Sequence, residues 1–245
     1  MREEAPKQRL LARQTSLLRY LTDPAAYDVA SSDAAFAAMD EERLRLIGRM
    51  SLSKRMDKIR TALPRTFTYV PHVENLSEAE FASQFPPYTN LRYDNAKQFV
   101  EYLRHLWTER PMEPTFLPDL AAVEAAVVKV NAILPETDDR KPGKVDVPLF
   151  RLARNIELLN CGHDVRTFFA GGAEREPPVE RSVSLVVGTT HGGAPRICEI
   201  SSKVFDFLTG SADWRRLDVP EIRADRELPG LVNRLIEMQV IEVVQ

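Results

Sequence analysis

Between Arg181 and Gly210 the chain reads RSVSLVVGTTHGGAPRICEISSKVFDFLTG, and this stretch limits the available folds more than any other. Val183, Leu185 and Val187 alternate with Ser182, Ser184 and Val186, the two-residue period of a half-buried strand. Thr189 to Gly193 supplies a turn, with paired glycines free to take positive φ. Arg196 to Ile200 returns as a second strand. Ser201 then stands where a helix N-cap belongs, Val204, Phe205 and Leu208 share a helical face, and Gly210 ends the helix. The strand Val183–Val187 is the more apolar of the two and belongs inside a sheet. Arg196 and Glu199 put charge on the return strand, as suits an edge kept from promiscuous pairing.

Ahead of this hairpin, residues 1–134 read as almost wholly helical. Leu10, Leu11, Leu17, Leu18 and Leu21 form one stripe, ended by Asp23-Pro24. Phe36, Met39, Leu46, Ile47 and Met50 continue at helical spacing, with Ser32 or Asp33 as cap. Leu52, Met56, Ile59 and Leu63 step by four, three and four residues up to Pro64. Ser77-Glu78-Ala79-Glu80 matches a capping box, and Asp94 is placed to cap a helix that buries Ala96, Phe99, Leu103, Leu106 and Trp107. Phe116, Leu120, Val123, Val127, Val130 and Leu134 mark the last helix, with Pro118 in its first turn. A helical bundle accounts for all of these residues.

The polar, proline-rich stretch 135–148 carries no apolar period and reads as a linker. From Leu149 the period becomes strand-like. Asn155–Asn160 reads as a strand, Cys161–Phe169 as a turn leading onward, Asp213–Ile222 as a short helix, Leu228–Met238 as another, and Val240–Val244 as a terminal strand. The expected class is therefore α+β: a helical domain at 1–134, and a winged-helix-like domain at 149–245 with a three-stranded sheet and three helices. Winged-helix modules hold either nucleic acid or a peptide strand, and the chemistry of the surface decides which.

Chemistry-bearing patterns are sparse. The four histidines form no HExxH, and the two cysteines, Cys161 and Cys198, form no CxxC. Cys161-Gly162-His163-Asp164 can be drawn either as a metal-ligating cluster or as a plain turn. No nucleophile elbow is present, and Thr190-His191-Gly192-Gly193 lacks the lysine of a phosphate-binding loop. Neither a catalytic residue nor a cofactor is expected in this chain. A formal net charge of −3 gives no electrostatic footprint for nucleic acid, and Asp213, Asp218, Glu221, Asp225 and Glu227 surround the small basic spot at Arg215 and Arg216. No apolar run is long enough to span a bilayer, and MREEAPKQRLLARQ does not read as a signal peptide. Two cysteines without a disulfide framework fit a cytoplasmic setting. Neither nucleic acid nor membrane is expected as a partner. A peptide reader requires a strand edge beside an apolar helix, and Arg196, Ile197, Cys198, Glu199 and Ile200 next to Val232, Leu235 and Ile236 offer one.

Three segments carry a family resemblance: Ser83-Gln84-Phe85-Pro86-Pro87, Phe99-Val100-Glu101-Tyr102-Leu103, and Glu113 through Glu124. They resemble the helical domain of a bacterial family labelled as DNA-binding, whose members are typically encoded beside TIM-barrel multinuclear iron oxygenases that modify ribosomally made peptides. Cys161 through Arg166 with Pro195 through Ser201 resemble the partner subunits of those oxygenases. His163 stands where that family usually carries an aromatic residue. The hairpin-and-helix end is similar to the recognition elements that hold leader peptides in such systems. The resemblance implies a non-catalytic accessory subunit, heterodimeric with the oxygenase, that recruits the leader of a precursor peptide. The implied modification falls on the precursor's C-terminal cysteine, as in β-carbon excision during 3-thiaglutamate biosynthesis. Iron would reside in the partner. Asp164 and Arg166, flanking Val165, can each make charge-assisted bonds, and the segment is expected to serve either the interface with that partner or the domain's own internal wiring as a local salt bridge. The alternative from another class is a winged-helix transcriptional regulator that binds DNA.

Overall fold

A computed structural model describes residues 17, 40–73, 76–87, 89–132, 147–170, 177–189, 194–211, 213–216 and 228–244. The protein combines helices with two three-stranded antiparallel sheets and belongs to the α+β class. It divides into two compact units, Met1–Ala121 and Ala122–Gln245. The division falls inside a helix, and residues 135–146 of the expected linker lie outside the described residues.

In the first unit, α1 spans Glu41–Ala62, α2 Thr66–Tyr69, α3 Glu78–Gln84 and α4 Arg92–Glu109, and α5 (Leu117–Ala132) begins here. Asp40 caps α1 by accepting from the backbone N–H groups of Glu42 and Arg43, while Ser32 and Asp33, the expected caps, lie outside the described residues. Met56, Ile59 and Leu63 are buried as their spacing predicts, but Leu46, Ile47 and Met50 are 48%, 43% and 51% exposed. Apolar period identifies a helix; it does not say which face will find a neighbour. Phe36 and Met39, and the Leu10–Leu21 stripe apart from Leu17, lie outside the described residues. Ser77 caps α3 through Glu80 N–H. The cap position of α4 is Leu91; Asp94 instead accepts the Thr89 hydroxyl at 2.8 Å, inside the first turn. Phe81, Phe99 and Tyr102 fill the centre, with Phe81 edge-on to Phe99 at 5.2 Å between ring centroids.

The second unit holds β1 (Leu149–Leu152), β2 (Ile156–Asp164), a 3₁₀ turn at Val165–Phe168, β3 (Val179–Thr189), β4 (Pro195–Ile200), α6 (Ser202–Thr209), β5 (Arg215–Arg216), α7 (Leu228–Glu237) and β6 (Ile241–Val244). One sheet runs β2-β3-β4 and the other β5-β1-β6. A single three-stranded sheet was the expectation; the second arises because β1 pairs with the terminal strand, Phe150 opposite Val243 and Leu152 opposite Ile241. Within the stretch expected as a helix at Asp213–Ile222, Arg215 and Arg216 form a strand against β1, while 217–222 lie outside the described residues. β2 also continues through Cys161–Asp164, with a register shift between Cys161 and His163, where a turn was expected. Ser201 caps α6 as anticipated, accepting from Val204 N–H at 3.4 Å.

The two sheets share one core. Phe150, Ile156, Val186, Leu208, Val232, Leu235 and Ile241 form a contiguous buried cluster. Phe150 stacks on Phe207 at 5.5 Å with an interplanar angle of 10°. On β3, Val183, Leu185 and Val187 are buried on one face and Val186 on the other, which is why this strand reads as nearly continuous apolar sequence.

Candidate functional site

Strand order places β3 in the middle and β4 at the margin, where among the described residues it pairs only with β3. Its register sets Ile197 opposite Val187, Cys198 opposite Val186, and Glu199 opposite Leu185. Side chains directly across an antiparallel pair share a face, so Arg196, Cys198 and Ile200 lie with Val186 while Ile197 and Glu199 lie with Leu185. The face bearing Val186 is the one covered by α7 in the shared core.

Between β4 and α7 opens a cleft of about 240 Å³. Ile200, Val204, Leu231, Leu235 and Met238 supply apolar wall, and Arg196 and Arg234 are the cations lining it. Neither arginine side chain forms a hydrogen bond or ion pair with a described residue. Gly188 lies opposite Arg196 and lines the cleft; a Cβ there would stand 2.4 Å from the Ile156 Cδ1 atom. That bare backbone lets the Ile156 side chain pack directly against β3. Ile236 and Met238 extend apolar surface outward, 36% and 40% exposed.

Of the residues expected to hold a peptide, Arg196, Cys198, Glu199, Ile200 and Leu235 line this cleft. Val232 does not: it is 2% exposed and packs in the core beneath α7. Ile197 shares the opposite sheet face with Glu199. Leu231, Arg234 and Met238 were not singled out individually as contact residues. Their spacing along α7, with Leu235 between, is the helical signal that places them together.

The Asp164-Val165-Arg166 segment is tied to the same edge strand. Asp164 accepts from Arg166 Nε at 2.8 Å, from an Arg166 Nη at 2.6 Å and from an Arg181 Nη at 2.7 Å. Arg166 and Arg181 reach on to the Glu199 carboxylate, each at 2.6 Å. Four alternating charges thus link the end of β2, the 3₁₀ turn, β3 and β4. Arg166, and then Arg181, hold the Asp164 carboxyl well below the usual carboxylate range against the opposing effect of burial. Arg181 chiefly lowers Glu199, and the two carboxylates raise both arginines in return. Val165 is fully buried, so its side chain presents nothing to a partner. The segment's charges are directed into its own unit, and Arg181, which sequence reasoning passed over, is the residue that closes the network.

Cys161 is buried at the end of β2, and the described residues contain no group of three or more His, Cys, Asp or Glu side chains placed to hold a metal ion. No described helix is long and apolar enough to cross a membrane. Neither a family model nor a curated protein matches this chain.

Proposed function

We propose that this chain is a non-catalytic accessory subunit that holds the leader of a ribosomally made precursor peptide as an added strand on β4, for a TIM-barrel multinuclear iron oxygenase bound to it. The observation that carries the reading is a strand edge left open among the described residues, beside an apolar, cation-lined cleft. Main-chain hydrogen bonds to β4 give such a peptide affinity, and alternate side chains entering the cleft give selectivity. Glu199 is neutralised by Arg166 and Arg181, so the cleft's uncompensated charge is that of Arg196 and Arg234. The occupant that fits is an extended segment with alternating apolar residues and an acidic side chain within reach of those two arginines. The oxygenase partner, its iron and the cysteine-directed chemistry follow from the sequence resemblance. A DNA-reading role draws less support, since Arg166 and Arg181 face carboxylates rather than a phosphate surface.

The test uses two prolines of opposite backbone parity. Because N–H groups alternate between the β3 side and the free side, one of Ile197→Pro and Cys198→Pro removes a donor from the free edge. The fluorescent-labelled leader of a short precursor encoded beside this chain is titrated into parent and variants, with circular dichroism verifying the fold. The free-side variant should stay folded and lose about 2- to 10-fold in affinity, the equivalent of one hydrogen bond of about 0.5–1.5 kcal/mol. Unchanged affinity in both folded variants eliminates strand addition at this edge.

A further inference from the structure

The helical unit contains a second cleft, of about 510 Å³, with an unusual charge inventory. Ser51, Lys54, Arg55 and Lys58 follow one another along α1 at the spacing that puts all four on one face, and all line the cleft. Thr89, Asn90 and Asn95 stand across from them, with Leu52, Ala82 and Pro87 as apolar wall, and Asp57 is the one carboxylate in the lining, its charge taken up by Arg60 at 3.0 Å.

Arg55 is the informative residue. It is only 7% exposed, and its guanidinium lies 4.3 Å from the Phe81 ring centroid. Its Nε donates to Asn95 Oδ1 at 2.8 Å, one Nη to the Phe85 carbonyl at 2.7 Å and the other to Gln98 Oε1 at 2.8 Å. Every acceptor is neutral. Lys58 donates to the Asn90 carbonyl at 3.2 Å, and Lys54 has no bonded partner among the described residues. The neighbouring carboxylates are engaged elsewhere: Asp57 and Glu78 both bind Arg60, and Asp94 accepts from Thr89. Burial pulls the Arg55 pKa down to about 10, as expected for a desolvated cation with no carboxylate beside it.

A buried charge without a counter-charge is destabilising, and like charges at i and i+4, as at Lys54 and Lys58, oppose the helix that carries them. An anion in the cleft relieves both effects. We propose that this cleft binds a small organic oxyanion, a phosphate ester or a polycarboxylate, whose charged group sits between Lys54 and Lys58 with Arg55 beneath it. The volume lies in the range of small-molecule sites, and the Leu52–Ala82–Pro87 wall provides for an apolar body beyond the charged group. The site is independent of the β4 edge, and so is its test.

Isothermal titration of the full chain with inorganic pyrophosphate and, separately, with citrate should give saturable binding for at least one, at constant ionic strength set by sodium chloride. Pyrophosphate alone identifies phosphate chemistry and citrate alone carboxylate chemistry. Affinity should fall as salt rises. The double variant Lys54→Gln/Lys58→Gln alters partly or fully exposed side chains and leaves Arg55 in place, so it should melt like the parent while binding about tenfold or more weakly. Absence of saturation with both probes overturns the proposal, as does undiminished affinity in the folded double variant.

Discussion

Replacing Asp164 by Asn removes one negative charge from the network that ties β4 to the end of β2, while keeping the side chain's shape and its capping oxygen. The parent carboxylate accepts three guanidinium hydrogen bonds, between 2.6 and 2.8 Å, and is 16% exposed. Charge-assisted bonds in a buried setting are each worth about 1.5–3 kcal/mol. Here the bidentate partner Arg166 is 33% exposed, so solvent screening moves its interaction toward the surface regime of about 0.2–1 kcal/mol. That bidentate pair gives a loss of about 1 kcal/mol on Asp164→Asn, and the exposed Arg181 contact acts in the same direction. The sign of the pH dependence follows from the depressed Asp164 carboxyl. Its contribution is complete above the unfolded value of about 3.9 and is lost as pH falls below that value toward the folded one. The difference between parent and variant in urea unfolding, followed by circular dichroism, should therefore be constant from pH 7 to about 4.5 and shrink below about 4. A variant as stable as the parent at pH 7, or a difference that stays the same at pH 3, would refute this account of the network.

Phe150→Ala should destabilise the second unit by about 3–5 kcal/mol, because the ring is 1% exposed and stacks on Phe207; the midpoint of chemical unfolding reads the loss. The full chain expressed without an oxygenase should contain no stoichiometric iron by elemental analysis, and co-expression should yield a heterodimer that carries the metal. Tightly bound iron in the isolated chain would contradict the accessory role. Arg196→Glu combined with Arg234→Glu should weaken an acidic leader about tenfold or more while leaving a charge-neutralised leader nearly unaffected, as judged by parallel titrations.

The sequence by itself determined the local elements wherever period and punctuation agreed. The alternation of Val183, Leu185 and Val187, the cap at Ser201 and the Leu231–Leu235–Met238 spacing were legible because each is decided within a few residues of chain. The edge position of β4 was legible as well, from its charges beside a more apolar neighbour. Only tertiary structure decided that β1 pairs with β6, since Leu152 and Ile241 lie far apart in sequence and no local pattern names a strand's partner. It also decided which apolar stripe stays outside, as at Leu46, Ile47 and Met50, and that Val165 and Val232 are core rather than contact surface. The electrostatics were the least legible. Asp164, Arg166, Arg181 and Glu199 become one network, and Arg55 becomes a buried cation, because sheet register and helix packing bring their side chains together. A charge in the sequence is a residue type; its partner and its exposure are properties of the fold.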